Sequence, residues 1–155
     1  MMERIRKSGK ENSECGQATV EFALMGVFLF LLICGMLEMF MLVYTYNVLA
    51  DSAKEGVRYA IVHGTNSSSP SGPTCPCSAI DGAAGTGVVK SYDQYSFTAT
   101  TGMTVTVTYP DTSNPPANQA PNRVQVVVSY PYKPFFGLNW PTATLYATAE
   151  GRIVF

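Results

Sequence analysis

The sequence predicts an α+β protein in which one long N-terminal helix packs on a small antiparallel sheet of about four strands. Two observations lead to this prediction. An apolar run, Phe22 to Tyr44, continues into an amphipathic segment that meets no loop-like stretch before Gly64. The C-terminal half instead alternates apolar and polar residues with period two, which is typical of strands that bury one face.

The apolar run is long enough to cross a bilayer, because about 20 helical residues at ~1.5 Å each cover the ~30 Å hydrocarbon core. A secretory signal peptide has a shorter apolar core of roughly 7–15 residues and stays basic up to its edge. Here the acidic residue Glu21 lies directly against the run. Four basic residues precede the run and two follow it closely, so the positive-inside rule puts the N-terminus in the cytoplasm.

Beyond Tyr46 the helix becomes amphipathic. Small and apolar residues recur at helical spacing, and charged residues hold the opposite side. The small and apolar set is Leu49, Ala53, Val57, Ala60 and Ile61. We expect this stripe to lie close against the sheet, and we expect Glu55 to pair weakly with Arg58 three residues later.

The residues around Glu21 resemble the cleavage motif of type IV prepilins. In that family a short basic leader ends in a glycine, followed by four residues, a glutamate, an aromatic residue and an apolar helix. Gly16, Glu21 and Phe22 occupy those positions. The resemblance implies cleavage between Gly16 and Gln17 by a prepilin peptidase. It also implies that Glu21 and Phe22 act in subunit assembly, with the carboxylate paired to the new α-amino group.

A second stretch makes the resemblance narrower. The helix continues as A-K-E-G-V-R-Y-A at residues 53–60. Together with the cleavage motif and the apolar run, it is similar to the TadE-like family, the minor pilin-like subunits of the tight-adherence (Tad) pilus system. The resemblance covers about Gly16 to Ala60. It implies a type IV pilin-like fold and a minor pilin or pseudopilin of a Tad-type (Flp) pilus or secretion assembly.

The same resemblance implies partners and a location. The partners are the membrane, the prepilin peptidase, other pilin and pseudopilin subunits, and the inner-membrane assembly platform. The location is the bacterial inner membrane, crossed once, with the N-terminus cytoplasmic and the C-terminal domain periplasmic or extracellular. Whether the chain also enters a pilus is left open.

The domain organisation follows from these boundaries. Residues 1–16 are expected to be the leader and residues 17–62 the long helix, with the transmembrane part at roughly 22–44. Residues 63–77 form a Ser/Pro/Cys-rich loop, and residues 78–155 form an exported β-rich head. The length that remains suits one small domain.

Within the head, four runs predict strands. Their apolar positions are Tyr95, Phe97 and Ala99; Val105, Val107 and Tyr109; Val124, Val126, Val128 and Tyr130; and Leu145, Ala147, Ala149, Ile153 and Phe155. The segment Ser78 to Tyr92 is either a weak helix or an irregular crossover, because glycines interrupt it. Phe135, Phe136 and Trp140 precede the last run and are either core residues or an exposed contact patch.

Three further residues attract attention as candidate sites. Glu38 lies ~24 Å along the helix from Phe22, near the outer interface, where it either snorkels to the headgroups or meets a donor on a partner helix. Cys75 and Cys77 form a C-P-C pair in the exported loop. They could close a short disulfide, pair between chains, or remain loop thiols.

Composition and motifs argue against several function classes. The net charge is −1, and the sequence gives no sign of the clustered basic face that nucleic-acid binding needs. We therefore expect no nucleic acid as a partner. His63 is the only histidine, and the sequence has no motif for nucleophilic catalysis or for a phosphate-binding loop. One histidine and two closely spaced cysteines are too few ligands for a recognisable metal site. We therefore expect no enzyme activity, no cofactor, no metal and no small-molecule substrate.

The alternative hypothesis is an uncleaved, signal-anchored single-pass membrane protein with an extracytoplasmic β-rich binding domain. The same apolar run and head would serve it, and only the need for Gly16 and Glu21 separates the two hypotheses. A lipoprotein anchored through Cys34 is the least favoured, since Ile33 is not the small residue that such a site needs before its cysteine.

Overall fold

The computed structural model of the chain contains two helices and three strands among the residues it describes. These elements are α1 (Met2–Val62), α2 (Val88–Asp93), β1 (Thr104–Thr108), β2 (Arg123–Pro131) and β3 (Thr144–Arg152). The described residues are 2–72, 80, 87–93, 102–111, 117–137 and 142–154, with the side chains of α1 described from Gly16 onward. The chain divides into two compact units, Met1–Phe40 and Met41–Phe155, and α1 runs through both.

α1 ends where the sequence predicts and begins earlier than expected. Its last residue is Val62, just before a stretch of glycine, asparagine and serine that favours turns. Its first residue is Met2, so helical backbone continues through the stretch expected to be a leader. The boundary between leader and mature helix at residue 16 stays a prediction.

The sheet is antiparallel, with β2 in the centre and β1 and β3 on either side. At its middle, Val128 pairs with Val105 on one side and with Ala147 on the other. The α+β prediction is therefore confirmed, but the described sheet has three strands rather than four. The fourth expected strand, around Tyr95, Phe97 and Ala99, lies outside the described residues.

The predicted alternation is present in all three strands. The buried residues of β2 are Val124, Val126, Val128 and Tyr130. The threonines of β1 are exposed, while Val105 and Val107 are half-buried between them. The segment Ser78 to Tyr92 is expected to be either a weak helix or an irregular crossover. Its end is helical, because α2 covers Val88–Asp93.

Small residues bring α1 and the sheet into close contact. A methyl group added at Gly56 would lie 2.7 Å from Val89 Cγ2 and 3.4 Å from Val126 Cγ1. One added at Gly151 of β3 would lie 2.6 Å from Ile61 Cδ1 and 2.7 Å from Val57 Cγ1. Neither position has room for a side chain, so the expected small-residue stripe does lie against the sheet.

The first prediction tests this contact. Gly151→Ala should lower the free energy of unfolding of the head by about 1–3 kcal/mol, because the new methyl group overpacks the helix–sheet interface. The measurement is the denaturant midpoint of the full chain in detergent, followed by near-ultraviolet circular dichroism. Gly35→Ala is the matched control, since an added Cβ there meets nothing within 4 Å. Equal midpoints for the two variants would contradict the prediction.

Candidate functional site

The N-terminal half of α1 presents an apolar surface that the described part of the chain leaves largely uncovered. We call residues 22–44 the apolar segment. Only 11% of the most apolar window of α1 is buried, whereas the core helix of a soluble protein would be covered. Its exposed large side chains include Phe22, Leu24, Met25, Phe28, Phe30, Met36 and Phe40. The helix is long and apolar enough to cross a membrane, which indicates a membrane-anchored protein.

The predicted processing site lies at the N-terminal edge of this surface. Gly16 is exposed, and a Cβ added there would meet nothing within 4 Å. Gln17 Nε2 donates a hydrogen bond of 3.1 Å to Glu21 Oε1, one helical turn later. Phe22 is exposed beside them. The structure thus brings Gln17 and Glu21 together, and it shows no packing requirement for a glycine at position 16.

One face of the apolar segment differs from the rest. Cys34 and Glu38, four residues apart and therefore on the same helical face, are each only 6% exposed. No buried side-chain nitrogen or oxygen in the described part of the chain lacks a hydrogen-bond partner. Sequence reasoning missed this burial, although the spacing continues to Thr45 and Leu49, which are also buried. Both interpretations of Glu38 stay predictions.

The comparison with known families fits this stretch of helix. A family model described as TadE-like protein matches residues 16–58. We call residues 16–58, which are similar to this family, the TadE-like domain. The match confirms the predicted resemblance, begins at Gly16, and includes the apolar segment. No curated protein and no solved structure matches the chain.

The TadE-like domain also contains the first part of the contact with the head. Leu49, Ala53 and Val57 are buried in the core, and Gly56 lies against the sheet. On the opposite side, Arg58 Nη1 pairs with Glu55 Oε1 at 2.9 Å, as predicted, and Lys54 pairs with Asp51 at 2.8 Å. These surface pairs contribute little to stability. The domain therefore contains both the apolar segment and part of the helix face that packs on the sheet.

Outside the domain, buried polar contacts hold the described start of the loop after α1. Asn118 Nδ2 donates to the Gly72 carbonyl at 2.7 Å, and Asn118 Oδ1 accepts from Thr65 Oγ1 at 2.8 Å. The Tyr109 hydroxyl donates to the Ser71 carbonyl. Gly72 has a φ of 91°, and a Cβ there would collide with the Tyr109 ring. Sequence reasoning did not find this cluster, because its members are far apart in the chain.

The candidate cysteine and aromatic sites have different outcomes. Cys75, Cys77 and Trp140 lie outside the described residues. Phe135 and Phe136 are 73% and 38% exposed, so the core interpretation is wrong for both, and a contact patch for a neighbour stays a prediction. Their rings meet edge to face, with centroids 5.3 Å apart. We call Tyr132–Gly137 the aromatic turn.

No metal-binding constellation is found in the part of the chain that the structure describes. No group of three or more His, Cys, Asp or Glu side chains there could hold a metal ion. His63 stacks on Tyr59, with ring centroids 3.9 Å apart, and its Nδ1 donates to the Tyr59 carbonyl at 2.8 Å. The histidine therefore completes the last turn of α1.

A charged cluster lies at the end of the sheet near Asn122. Arg123 Nη2 and Nε bind the Asp111 carboxylate at 2.9 and 3.1 Å, and Arg123 Nη1 binds Glu150 Oε1 at 3.0 Å. The Arg123 side chain and its backbone N–H together hold the pKa of Asp111 below its ordinary value. All three side chains are partly exposed, and Arg123 binds both carboxylates, so this cluster ties β2 to its neighbours.

The second prediction concerns this cluster and pH. Because the pKa of Asp111 is lowered in the folded chain, its stabilisation is complete above the ordinary carboxyl pKa of ~3.9 and is lost as pH falls through the folded value. Asp111→Asn should therefore lower the unfolding midpoint near neutral pH, and its difference from the wild type should shrink below about pH 4. Denaturant titrations across this pH range measure the difference.

The control for this prediction is Asp51→Asn, which removes an exposed ion pair within a single helix. It should change the midpoint near neutral pH very little. A pH-independent difference between Asp111→Asn and the wild type would show that the carboxylate charge is not the source of the stabilisation.

Proposed function

We propose that this chain is a minor pilin or pseudopilin-like structural subunit of a Tad-type (Flp) type IV pilus or secretion assembly, cleaved by a prepilin peptidase after Gly16. It is a structural subunit and not an enzyme. Before assembly it lies in the bacterial inner membrane, with its N-terminus in the cytoplasm and its head outside. One observation carries the proposal: Gly16, beside which no described side chain packs, begins the TadE-like match and lies five residues before the exposed carboxylate of Glu21.

The case for Gly16 as a cleavage site is its unfavourable place in a helix. Alanine is the better helix former by about 1 kcal/mol, and Gly16 has open space for a Cβ. Folding alone thus favours alanine. A peptidase that holds the scissile bond extended in a narrow cleft instead favours glycine, which has no Cβ and unwinds easily from the helix.

The case for Glu21 is its position at the edge of the apolar segment. An unpaired carboxylate among apolar subunit helices is costly, so it needs a partner. In the uncleaved chain the exposed amide of Gln17 provides a neutral hydrogen bond. Cleavage would create a positively charged α-amino group on Gln17, in the same or a neighbouring subunit, and this group is a much stronger partner.

The apolar segment supplies the surface for assembly. Gly26 and Gly35 lie on it, and an added Cβ at either position meets no described atom within 4 Å. Exposed glycines on a membrane helix allow another helix to approach closely. The partners that fit this surface are other pilin or pseudopilin helices and the membrane part of the assembly platform, whereas nucleic acids and small-molecule substrates do not fit it.

The alternative function is an uncleaved membrane anchor that carries a binding domain. The exposed Phe135 and Phe136 favour it, because an aromatic pair outside the core can serve as a contact surface. The two functions differ in what they require of Gly16, and the next prediction uses this difference.

The third prediction concerns processing. In a host with an active prepilin peptidase, the wild-type chain should begin at Gln17, and Gly16→Ala should leave an uncut chain in the membrane. Intact mass and N-terminal sequencing of the membrane fraction measure both. Gly26→Ala is the matched control, because it makes the same change in an equally open position of α1 and should be cleaved normally.

A wild-type chain that begins at Met1 or Met2, while another prepilin in the same cells is cleaved, would contradict the pilin proposal. It would leave the anchored binding domain. Normal cleavage of Gly16→Ala before Gln17 would instead show that the peptidase does not need a glycine at position 16.

The fourth prediction concerns assembly. Glu21→Gln should be cleaved normally but recovered with partner pilin subunits at a roughly tenfold lower level, because a neutral amide cannot pair strongly with the α-amino group. Cross-linking in membranes followed by affinity purification measures the recovered complex. Glu55→Gln is the control, since it removes a carboxylate from the Arg58 pair near the C-terminal end of α1. Equal recovery of both variants would contradict the assigned role.

A further inference from the structure

The contacts between α1 and the sheet show which end of the sheet lies beside the C-terminal end of α1. The Val154 N–H donates to the Ile61 carbonyl at 3.1 Å, and Gly151 lies against Ile61 and Val57. The Arg152 end of β3 is therefore beside the C-terminal end of α1. Because β2 is antiparallel to β3, β2 starts at this end with Arg123 and runs away from it.

β2 descends along α1 toward Met41. Val126 faces Gly56. From Val126 to Tyr132 the strand advances ~20 Å, and the same distance along a helix takes about 14 residues. Counted back from Gly56, this reaches Leu42, which indeed packs against the core that contains Tyr132. This count places Tyr132 level with Leu42, and the rest of the aromatic turn follows directly after it in the chain.

This level is where α1 leaves the apolar segment. Tyr44 and Tyr46 are exposed on α1 at this level. Membrane proteins are enriched in tyrosine and tryptophan where the hydrocarbon core meets the headgroups. The aromatic turn adds the exposed Phe135 and Phe136, three and four residues after Tyr132. The count along β2 therefore brings aromatic side chains from two distant parts of the sequence toward the same end of the head.

The chemistry of the turn suits a lipid interface. Phe135 and Phe136 present an exposed apolar surface, and Lys133 is exposed next to them. Aromatic rings are favourable at the headgroup level, and a lysine there attracts anionic lipids. The turn is also held at its base, because the Tyr132 N–H donates to the Ala143 carbonyl at 2.9 Å. A fixed turn loses little conformational freedom when it inserts.

We propose that the aromatic turn inserts Phe135 and Phe136 into the outer interface of the membrane that α1 crosses. The head then has two contacts with the bilayer, the helix and the turn. This inference rests on the membrane anchoring of α1 in the proposed function and is independent of cleavage at Gly16.

The fifth prediction tests this insertion by fluorescence. The full chain is placed in nanodiscs at one copy per disc, with Trp140→Phe as background so that the single native tryptophan is removed. Phe135→Trp in that background should lose emission when the lipids carry bromine on the upper part of their acyl chains, and less when bromine lies near the bilayer centre. Its emission should also shift to shorter wavelength relative to the detergent-free denatured chain.

Two matched variants complete the experiment. Val154→Trp replaces a 63% exposed residue at the opposite end of the sheet and should not be quenched by either lipid. Phe28→Trp lies in the apolar segment and should be quenched strongly by the deeper bromine. Emission from Phe135→Trp that matches Val154→Trp, while Phe28→Trp is quenched, would overturn the insertion and leave the anchoring intact.

The remaining outcomes are equally decisive. If Phe28→Trp is not quenched, α1 does not cross the bilayer, and the inference fails together with the anchoring. If Phe135→Trp is unquenched in single-copy discs but becomes protected only when pilin subunits are added, the turn binds protein and the lipid assignment is wrong.

Discussion

The close contact between α1 and the sheet determines much of the rest of this structure. Gly56 and Gly151 let the helix and the sheet approach to a distance at which no further side-chain atom fits. This contact fixes which face of the helix is inside the head, and helical geometry carries that choice along the chain. The buried stripe through Val57, Ala53 and Leu49 is one result, and the descent of β2 toward Met41 is another.

Local patterns predicted the parts of the fold that local physics controls. The alternation around Val126 predicted a half-buried strand because a sheet with one covered face allows few other arrangements. The end of α1 was predictable from Gly64 for the same reason. Contacts between distant residues were not predictable. Asn118 binds Thr65 and Gly72, which are far from it in the chain, and no spacing in the sequence predicts these hydrogen bonds. Composition alone also could not decide whether Phe135 is covered.

Some features of the candidate site were also predictable from the sequence, and others were not. Gly16 and Glu21 were found from a motif, and the structure adds that the fold itself gives Gly16 no packing role. The burial of Glu38 escaped notice because a single charge in an apolar run says nothing about which face is covered. The TadE-like match ends at Arg58, one turn before the end of α1, so it includes the helix face that carries the head but none of the strands. The function of the head therefore has to be argued from its own surface.

A single helix does not fix the orientation of a head above a membrane, because the helix can tilt in the bilayer. The proposed second contact at the aromatic turn would limit that tilt. The contact also has a consequence for assembly. A subunit that left the bilayer for a filament would withdraw Phe135 and Phe136 from lipid, and their apolar surface would then favour a neighbouring subunit over water. The aromatic turn would thus oppose extraction of an isolated subunit and favour extraction into a complex.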